Sequence, residues 1–366
     1  MIKEVDGNIL DAKVEALVNT VNTVGVMGKG VALQFKQAFP ENYRAYKQAC
    51  DHGDVHLGRM FVYDMGKLDP PRYIINFPTK GHWRSRSRLS DIEQGLANLA
   101  RVLQEYEISS VAVPALGCGN GGLRWGTVRP IIIEALSELE GIEILLYPPT
   151  GAPEAKQMRV ATKPPSITRG RAALIELMRR YMHTVEIENF VAPQGVSLLE
   201  IQKLSYFLQI SGEDLRLNFT RAKYGPYAEN LNHVLQRIEG HYLRGYGDRS
   251  DLVLELHPID ILPGAIEVAL DWLNENGADL TEHFIRIDKL LEGFASPYGL
   301  ELLSTVHWVV LNSTEEQLPT SEAVITQVQE WSRRKKELFT PKHIVNAYKR
   351  LADQGWFNET SRLPLR

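Results

Sequence analysis

The sequence predicts an α/β domain in the first 150 residues and a mainly α-helical region after it. In the first part, short apolar runs such as 16–18 and 73–77 alternate with amphipathic segments, as the strands and helices of a layered domain do. Five prolines interrupt this pattern within 148–167, and apolar residues at helical spacing follow them. We therefore expect an α/β domain with a largely parallel sheet at 1–150, a linker at 151–167 and helices from residue 168 onwards.

The composition is that of an ordinary soluble globular protein. The chain has 366 residues, is 44% hydrophobic and 23% charged, and carries a net charge of −4, which suggests two or three domains and no general affinity for nucleic acid. Cys50 and Cys118 have no partner at metal-ligand spacing, so we expect no disulfide framework, no metal and no cofactor. The charged N-terminus and the lack of a long apolar stretch predict a cytoplasmic protein without a membrane span.

The elements of the first part can be predicted in order. A capping box with Ser90 at the N-cap and Glu93 three residues later predicts a long helix that Ser90 opens, and a helix from Val31 should end before Pro40. The expected strands are 16–18, 60–63, 73–77, 111–116 and 142–147, and the expected helices are 31–39, the one from Ser90, and about 126–139.

The second part shows helical stripes of apolar residues in 174–181, 198–208 and 231–238, and further helices at about 264–275 and 282–293. We predict a helical region at 168–297, a short strand at 253–256, and a winged-helix-like subdomain at 298–366 with a helix opened by Thr340 and Pro341. The segment Tyr224–Tyr227 is either a turn with exposed aromatic rings or a tight loop packed on its own helix.

Two glycine-rich segments stand where strands turn into helices, at 25–30 and 117–122. Glycines at such turns let backbone N–H groups approach phosphate oxygens, and a helix N-terminus adds partial positive charge. Each segment alone is equally explained as a tight turn, but two in one domain favour a clamp for a diphosphate. We expect Gly119 to need a positive φ. Neither segment fits the P-loop pattern, and the late position of 117–122 disfavours a dinucleotide-binding Rossmann domain.

Lys80 follows an apolar strand and the turn residues Pro78 and Thr79, so it should lie at the mouth of the sheet, where ligands bind. An amine there can act as a nucleophile once its pKa is lowered. The cations after it, Arg84, Arg86 and Arg88, form either a solvated loop or a contact to a phosphate backbone. Trp83 either stacks on a nucleobase or packs under the loop.

Several segments resemble the macrodomain family, and within it the DarG antitoxins of DarT–DarG toxin–antitoxin systems. These segments occur in the order typical of that family. They are residues 6–10, 16–22, 27–32 with 34–36, 79–83 and 113–119. The resemblance continues less specifically in residues 197–204 and 223–231. The resemblance implies a three-layer αβα macrodomain with a mixed sheet.

It also implies an activity and a partner. In that family, a toxin attaches ADP-ribose to thymidine bases of single-stranded DNA, the macrodomain removes it, and the C-terminal region binds the toxin directly. By resemblance, Lys80 is the catalytic lysine. The tryptophan beside a basic run makes Trp83, Arg84 and Arg86 the candidate DNA contacts. The ADP-ribose contacts implied are Asn8 and Ile9 at the adenine end, Thr20, Val21 and Asn22 at the distal ribose with Thr79 beside them, and Gly28, Lys29, Gly30, Val31, Gly117, Cys118, Gly119, Asn120 and Gly121 around the diphosphate.

One position departs from related macrodomain hydrolases. These enzymes pair the lysine with an aspartate in the second glycine loop, where this chain has Gly121. Either Lys80 acts with a positioned water and Asn22, or the acid comes from elsewhere. Cys118 has no histidine nearby and is expected to fill space. The alternative function is a non-catalytic ADP-ribose-binding module fused to a DNA-binding regulator, whose basic run would be 333–336.

Overall fold

The computed structural model describes residues 1–149, 151, 153–190, 192–248, 258–313 and 318–357. They form two compact units. The first contains residues 1–163 together with Gly247 and Asp248, and the second contains the other described residues from Pro164 onwards. This division falls inside the predicted linker. The earlier part of that linker packs on the first unit, where the Ala161 N–H donates to the Gln37 carbonyl oxygen over 2.8 Å.

The first unit is built on one mixed sheet. Its described strands are β1 Ile2–Glu4, β2 Ala16–Asn22, β3 Phe61–Asp64, β4 Tyr73–Lys80, β5 Ser110–Pro114 and β6 Glu143–Tyr147. Its described α-helices are α1 Gly30–Ala38, α2 Pro40–His52, α3 Leu89–Glu105 and α4 Trp125–Ser137. The strand order is β1-β6-β5-β2-β4-β3. Only β3 runs antiparallel to its neighbour within this described sheet, so the predicted mixed sheet is confirmed.

Helices cover both faces of the sheet, because its central strands are apolar on both sides. In β2, Val18 packs in a core cluster with residues of α3 and α4, whereas its neighbour Leu17 packs in another cluster with Phe35 of α1. Successive side chains of a strand point to opposite faces, so each face of β2 meets its own helix layer. The three-layer αβα arrangement is confirmed.

The start of α3 differs from the prediction. The helix begins at Leu89 with Arg88 at the N-cap, and no side chain caps it, so the predicted capping box of Ser90 and Glu93 does not form. Gly95 explains how α3 packs: a Cβ atom there would lie 2.2 Å from the Phe77 ring. The missing side chain lets the helix lie close on β4, the strand that ends in Lys80.

The second unit is mainly helical. Its described helices are α5 Arg169–Asn189, α6 Leu198–Ile210, α7 Leu231–Ile238, α8 Ala265–Asn276, α9 Leu280–Leu291, α10 Pro297–Leu311, α11 Ser321–Glu330, α12 Arg333–Leu338 and α13 Pro341–Asp353. Its described strands are β7 Phe219–Ala222, β8 Gly225–Ala228, β9 Leu243–Arg244 and β10 Asp260–Ile261. The strand predicted at 253–256 lies outside the described residues. Among the described helices, none is long and apolar enough to cross a bilayer.

The predicted boundary at residue 298 does not separate two compact units. Helix α10 spans that boundary, and its apolar residues share one core cluster with those of α6 and of α13. Leu300 and Leu303 of α10, Phe207 of α6 and Leu351 of α13 are all fully buried in it. The described part of 298–366 is therefore helical, as predicted, but it is continuous with the helices before it.

Candidate active site

The ends of two neighbouring strands bring the predicted ribose contacts together. β2 and β4 run parallel, and Asn22 lies opposite Lys80 after an irregularity between Val21 and Asn22. The Thr79 hydroxyl donates to the Val21 carbonyl oxygen over 3.3 Å, which ties the two strand ends. Carboxyl ends of parallel strands are where open α/β sheets bind ligands, so these residues lie at the expected edge.

Lys80 reaches from the end of β4 to the second glycine loop. Its ammonium group donates to the main-chain carbonyl oxygen of Asn120 over 2.9 Å. Burial lowers the pKa of Lys80 below that of a solvated lysine, because leaving water disfavours the charged form. The structure thus places an amine with a lowered pKa beside a glycine loop.

The Asn22 side chain holds the first glycine loop. Its Nδ2 donates to the Val26 carbonyl oxygen over 2.6 Å, and its Oδ1 accepts from the N–H groups of Val24 and Val26 at 3.0 and 3.2 Å. Only 4% of the residue is exposed. Both ends of the Asn22 amide therefore bond to the loop and position it, and its catalytic role stays a prediction.

The first glycine loop ends at Gly30, the first residue of α1, which has a φ of +61°. A positive φ is easily adopted only by glycine, which explains the residue type. The Gly30 N–H donates to the Asp248 carbonyl oxygen over 2.9 Å, and Gln34 Nε2 donates to Asp248 Oδ2 over 2.7 Å. Of the predicted diphosphate contacts from Gly28 to Val31, the Gly30 N–H is therefore already bonded within this unit.

The second glycine loop is closed by its own backbone. The Leu123 N–H donates to the Gly117 carbonyl oxygen and the Gly122 N–H to that of Gly119, each over 3.0 Å. Positive φ angles occur at Gly117 and Gly122. The expectation of a positive φ at Gly119 is wrong. A Cβ atom at Gly119 would meet nothing within 4 Å, so this glycine borders open space.

Ser87 explains why position 121 carries no acid. A Cβ atom at Gly121 would lie 2.3 Å from Ser87 Oγ and 2.4 Å from the Gly117 carbonyl oxygen. The Ser87 N–H donates to the Gly121 carbonyl oxygen over 3.0 Å, and the buried Ser87 hydroxyl has no hydrogen-bond partner. Nothing in the sequence indicated this role, because Ser87 lies between Arg86 and Arg88 and the charge of the arginines was the feature that stood out.

Asn8 and Ile9 begin a short 3-10 helix, Ile9–Asp11, soon after β1. Asn8 Oδ1 accepts from the Leu10 N–H over 3.0 Å, while the buried Asn8 Nδ2 has no partner. The Ile9 side chain is only 5% exposed and belongs to the core cluster around Leu17. A ligand could therefore meet Ile9 through its main chain rather than its side chain.

The segment after Lys80 carries an exposed stack of rings. The Gly81 carbonyl oxygen accepts from the hydroxyl of Thr23 over 2.8 Å and from its N–H over 3.2 Å. His82 stacks on Trp83 with ring centroids 5.4 Å apart, and the Arg84 guanidinium lies 4.5 Å from the centre of the Trp83 ring. Trp83 is 44% exposed, so it does not pack under the loop.

Cys118 lies within the second glycine loop and is partly buried. Its thiol group donates to the Leu116 carbonyl oxygen over 3.5 Å. Burial raises the pKa of Cys118 to about 11, so the thiol stays protonated at neutral pH and is not a nucleophile. This agrees with the interpretation of Cys118 as a space-filling residue.

Comparison with known proteins identifies a matching domain family and relatives that are similar over the full length of the chain. The family described as Macro domain matches residues 18–132. A DNA ADP-ribosyl glycohydrolase of Thermus aquaticus is 46% identical over 370 residues, covering 100% of this chain and 98% of the relative. A protein of the same description from Mycobacterium tuberculosis is 43% identical, covering 96% and 99%. A DNA ADP-ribosyl transferase-DNA ADP-ribosyl glycohydrolase fusion protein of Thermosipho africanus is 35% identical over 160 residues, covering 40% of this chain and 41% of the relative.

Proposed function

The chain belongs to the DarG family of DNA ADP-ribosyl glycohydrolases, and from that premise we propose that it removes ADP-ribose from thymidine bases of single-stranded DNA. The bond broken is the N-glycosidic bond between the distal ribose and the base. The first unit carries the reaction, and the second unit binds the toxin that makes the modification.

The position of Lys80 is the observation that carries the catalytic proposal. Its amine lies at the mouth of the sheet, bonded to Asn120 of the second glycine loop, and its pKa is lowered by burial. A neutral amine can attack the C1 atom of the distal ribose. The C–N bond to thymine then breaks, and the base nitrogen takes the electron pair and the proton that the attacking amine releases. Water next displaces the lysine, which releases ADP-ribose and unmodified DNA.

The rest of the ligand would extend along the strand ends. Gly119 borders open space and Gly117 adopts a positive φ, so the second loop can bring backbone N–H groups to a diphosphate without side-chain clashes. Asn8 Nδ2 is buried without a partner, and such a donor suits a ring nitrogen of adenine. The remaining predicted ADP-ribose contacts would meet the ligand along the same strand ends and glycine loops.

Trp83, Arg84 and Arg86 would hold the DNA strand that carries the modified base. An exposed indole ring offers a stacking platform to a neighbouring base, and arginines contact phosphates. Trp83→Ala should weaken binding to modified oligonucleotides, whereas Trp83→Phe should retain most of it. Wild-type affinity for modified oligonucleotides in both variants would show that Trp83 does not contact the DNA.

The decisive experiment uses an oligonucleotide ADP-ribosylated on thymidine. The wild-type chain should release free ADP-ribose and restore the unmodified strand, and Lys80→Ala should do neither. A chain that binds ADP-ribose but leaves the oligonucleotide modified would instead support the alternative of a non-catalytic binding module. Calorimetry with free ADP-ribose, run beside the assay, separates the two outcomes.

The proposed partner is a DNA ADP-ribosyltransferase. The Thermosipho africanus relative is described as a fusion of such a transferase with a glycohydrolase, which supports a partnership of the two activities. Residues 151–366 have 25 Lys and Arg against 28 Asp and Glu, so this half is slightly acidic, and an acidic surface suits a toxin with a positive DNA-binding groove.

The basic run 333–336 does not support the alternative of a DNA-binding regulator. Arg334 and Lys335 form ion pairs with the buried Glu301 at 2.6 and 2.8 Å, and Arg333 pairs with Glu337. Lys335 is fully buried. Arg334 and Lys335 are therefore paired inside the fold rather than presented to a phosphate backbone, whereas Arg333 and Lys336 are exposed.

Toxin neutralisation can be tested apart from catalysis. The full-length Lys80→Ala variant should still form a complex with the toxin at micromolar concentration and block modification of an oligonucleotide by it. If the variant neither binds the toxin nor slows modification, the second unit has another role and only the glycohydrolase proposal stands.

A further inference from the structure

The side chain of Ser87 lies buried beside the candidate active site with an unsatisfied hydroxyl group. Ser87 stands two residues before α3, and only 6% of the residue is exposed. Its hydroxyl oxygen is closed off from solvent and has no hydrogen-bond partner among the described residues. Because a buried polar group without a partner destabilises the folded chain, a hydroxyl kept in this place calls for an explanation.

Ser87 packs against the second glycine loop. A Cβ atom at Gly121 would lie 2.3 Å from Ser87 Oγ, and one at Gly117 would lie 3.2 Å from it. The Ser87 N–H donates to the Gly121 carbonyl oxygen over 3.0 Å. The main chain of Ser87 is therefore already bonded to the loop, whereas its hydroxyl group is left without a partner next to Gly121.

The peptide that joins Asn120 to Gly121 also carries the contact of Lys80. Its carbonyl oxygen, that of Asn120, accepts from the Lys80 ammonium group over 2.9 Å. A hydrogen bond donated by an ammonium group favours its charged form, and a charged amine has no free electron pair with which to attack a ribose carbon. The contact that places Lys80 thus opposes the neutral form that the proposed reaction needs.

This peptide can turn without breaking the bonds that close the loop. A trans peptide moves as a rigid plane, and glycine at its far end accepts φ values that other residues resist. The neighbouring bonds, from the Gly122 N–H to the Gly119 carbonyl oxygen and from the Ser87 N–H to that of Gly121, use other peptides. A turn would carry the Asn120 carbonyl oxygen away from Lys80 and around Gly121, against which Ser87 Oγ lies.

We propose that Ser87 is a positioning residue for the hydrolysis, and that its hydroxyl group takes the Asn120 carbonyl oxygen from Lys80 in the substrate complex. This rests on the proposed function of Lys80 as the nucleophile. In the free chain, the Asn120 carbonyl oxygen holds the ammonium group in place. In the complex, the same oxygen accepts from the Ser87 hydroxyl, and the amine is released to attack the C1 atom of the distal ribose as a neutral group.

The first test removes the hydroxyl group alone. Ser87→Ala keeps the N–H that bonds to Gly121, and Ser85→Ala removes an exposed hydroxyl from the same segment as a matched control. The substrate is an oligonucleotide ADP-ribosylated on thymidine, and single-turnover rates of the full-length chain are measured at saturation. Ser87→Ala should lower this rate by about tenfold or more, as the loss of one hydrogen bond can, and Ser85→Ala should keep the wild-type rate.

The pH dependence is a readout that a packing defect would not move. In Ser87→Ala, the Asn120 carbonyl oxygen keeps accepting from Lys80 within the complex, so the charged form of the amine stays favoured. The plateau of the single-turnover rate should therefore begin at a higher pH in Ser87→Ala than in the wild-type chain. Ser85→Ala should keep the wild-type profile.

Thermal unfolding of the free chain gives a second readout. Removal of a buried hydroxyl that has no partner does not take a bond from the free chain. The unfolding midpoint of Ser87→Ala should therefore equal or exceed that of the wild type while its rate falls. A residue needed only for packing would lose stability and rate together.

The outcomes separate the role of Ser87 from the function it rests on. A wild-type rate in Ser87→Ala would overturn that role and leave the glycohydrolase proposal intact. A slower rate with an unchanged pH profile would also overturn it, because Ser87 would then not act on the amine. Absence of hydrolysis by the wild-type chain, or wild-type turnover in Lys80→Ala, would overturn the proposed function and this inference with it.

Discussion

The Lys80 ammonium group donates to the Asn120 carbonyl oxygen over 2.9 Å, across 40 residues of sequence. This bond joins the end of a central strand to the second glycine loop. It leaves the amine partly buried, and burial lowers the pKa of Lys80. The bond fixes where the amine lies, while burial favours its neutral form.

Replacement of Lys80 should separate chemistry from binding. Lys80→Ala should abolish hydrolysis of thymidine-ADP-ribosylated DNA while ADP-ribose affinity stays within about tenfold, or about 1.4 kcal/mol. Lys80→Arg, which keeps the charge but cannot be deprotonated, should be equally inactive. Turnover by single-turnover kinetics and affinity by calorimetry measure the two effects. Wild-type turnover in either variant would contradict a nucleophilic role.

The pH dependence should follow the neutral amine. Since only the deprotonated form of Lys80 can attack, the rate should rise with pH and level off above the pKa of Lys80. Because that pKa is lowered, the plateau should begin below about pH 10.4, where an ordinary lysine titrates. Single-turnover rates across the pH range measure this. A rate independent of pH would indicate that Lys80 acts only as a hydrogen-bond donor.

Two glycines of the second loop, Gly119 and Gly121, should respond differently to a methyl group. Gly121→Ala would place a Cβ atom 2.3 Å from Ser87 Oγ, and overpacking of this kind typically destabilises by about 1–3 kcal/mol. Gly119→Ala meets nothing within 4 Å, so its unfolding midpoint should stay unchanged while ADP-ribose affinity falls. Thermal unfolding and calorimetry of both variants give the comparison. An unchanged affinity in Gly119→Ala would mean that this loop does not face the ligand.

Asn22 should act through the first glycine loop. Asn22→Asp keeps an acceptor for the N–H groups of Val24 and Val26 but loses the donor to the Val26 carbonyl oxygen, whereas Asn22→Ala loses every one of these bonds. We expect ADP-ribose affinity to fall in the order wild type, Asp, Ala. Turnover at saturating substrate should fall much less. A loss of turnover at saturation with unchanged affinity would support the catalytic role of Asn22.

Lys203 should make the stability of the chain depend on pH. Burial, together with the positive charge of Lys335, lowers the pKa of Lys203 to about 7. A lysine of the unfolded chain titrates near about 10.4, so between these pH values the unfolded chain binds a proton that the folded chain does not. The free energy of unfolding should therefore rise with pH in this window, by at most about 1.4 kcal/mol per unit.

The matched variants test that assignment. Urea unfolding of Lys203→Met should show a weaker rise between about pH 7 and pH 9 than the wild type. Lys336→Met, which removes an exposed lysine from the same unit, should keep the wild-type slope. Identical slopes in all three chains would show that Lys203 keeps its ordinary pKa.

Local patterns in the sequence were sufficient to predict much of the fold of the first unit and the place of its candidate site. The alternation of apolar runs, the two glycine segments and the position of Lys80 after an apolar strand predicted a layered domain with a site at the strand ends, because these features depend on neighbours in sequence. Tertiary contacts decided the rest. Position 121 has no room for an acid because Ser87 packs against it, and α10 spans a predicted boundary because its apolar residues enter the same core as those of α6. In each case the deciding atoms come from segments that pack together, and packing between such segments follows from the whole fold rather than from the residues beside them.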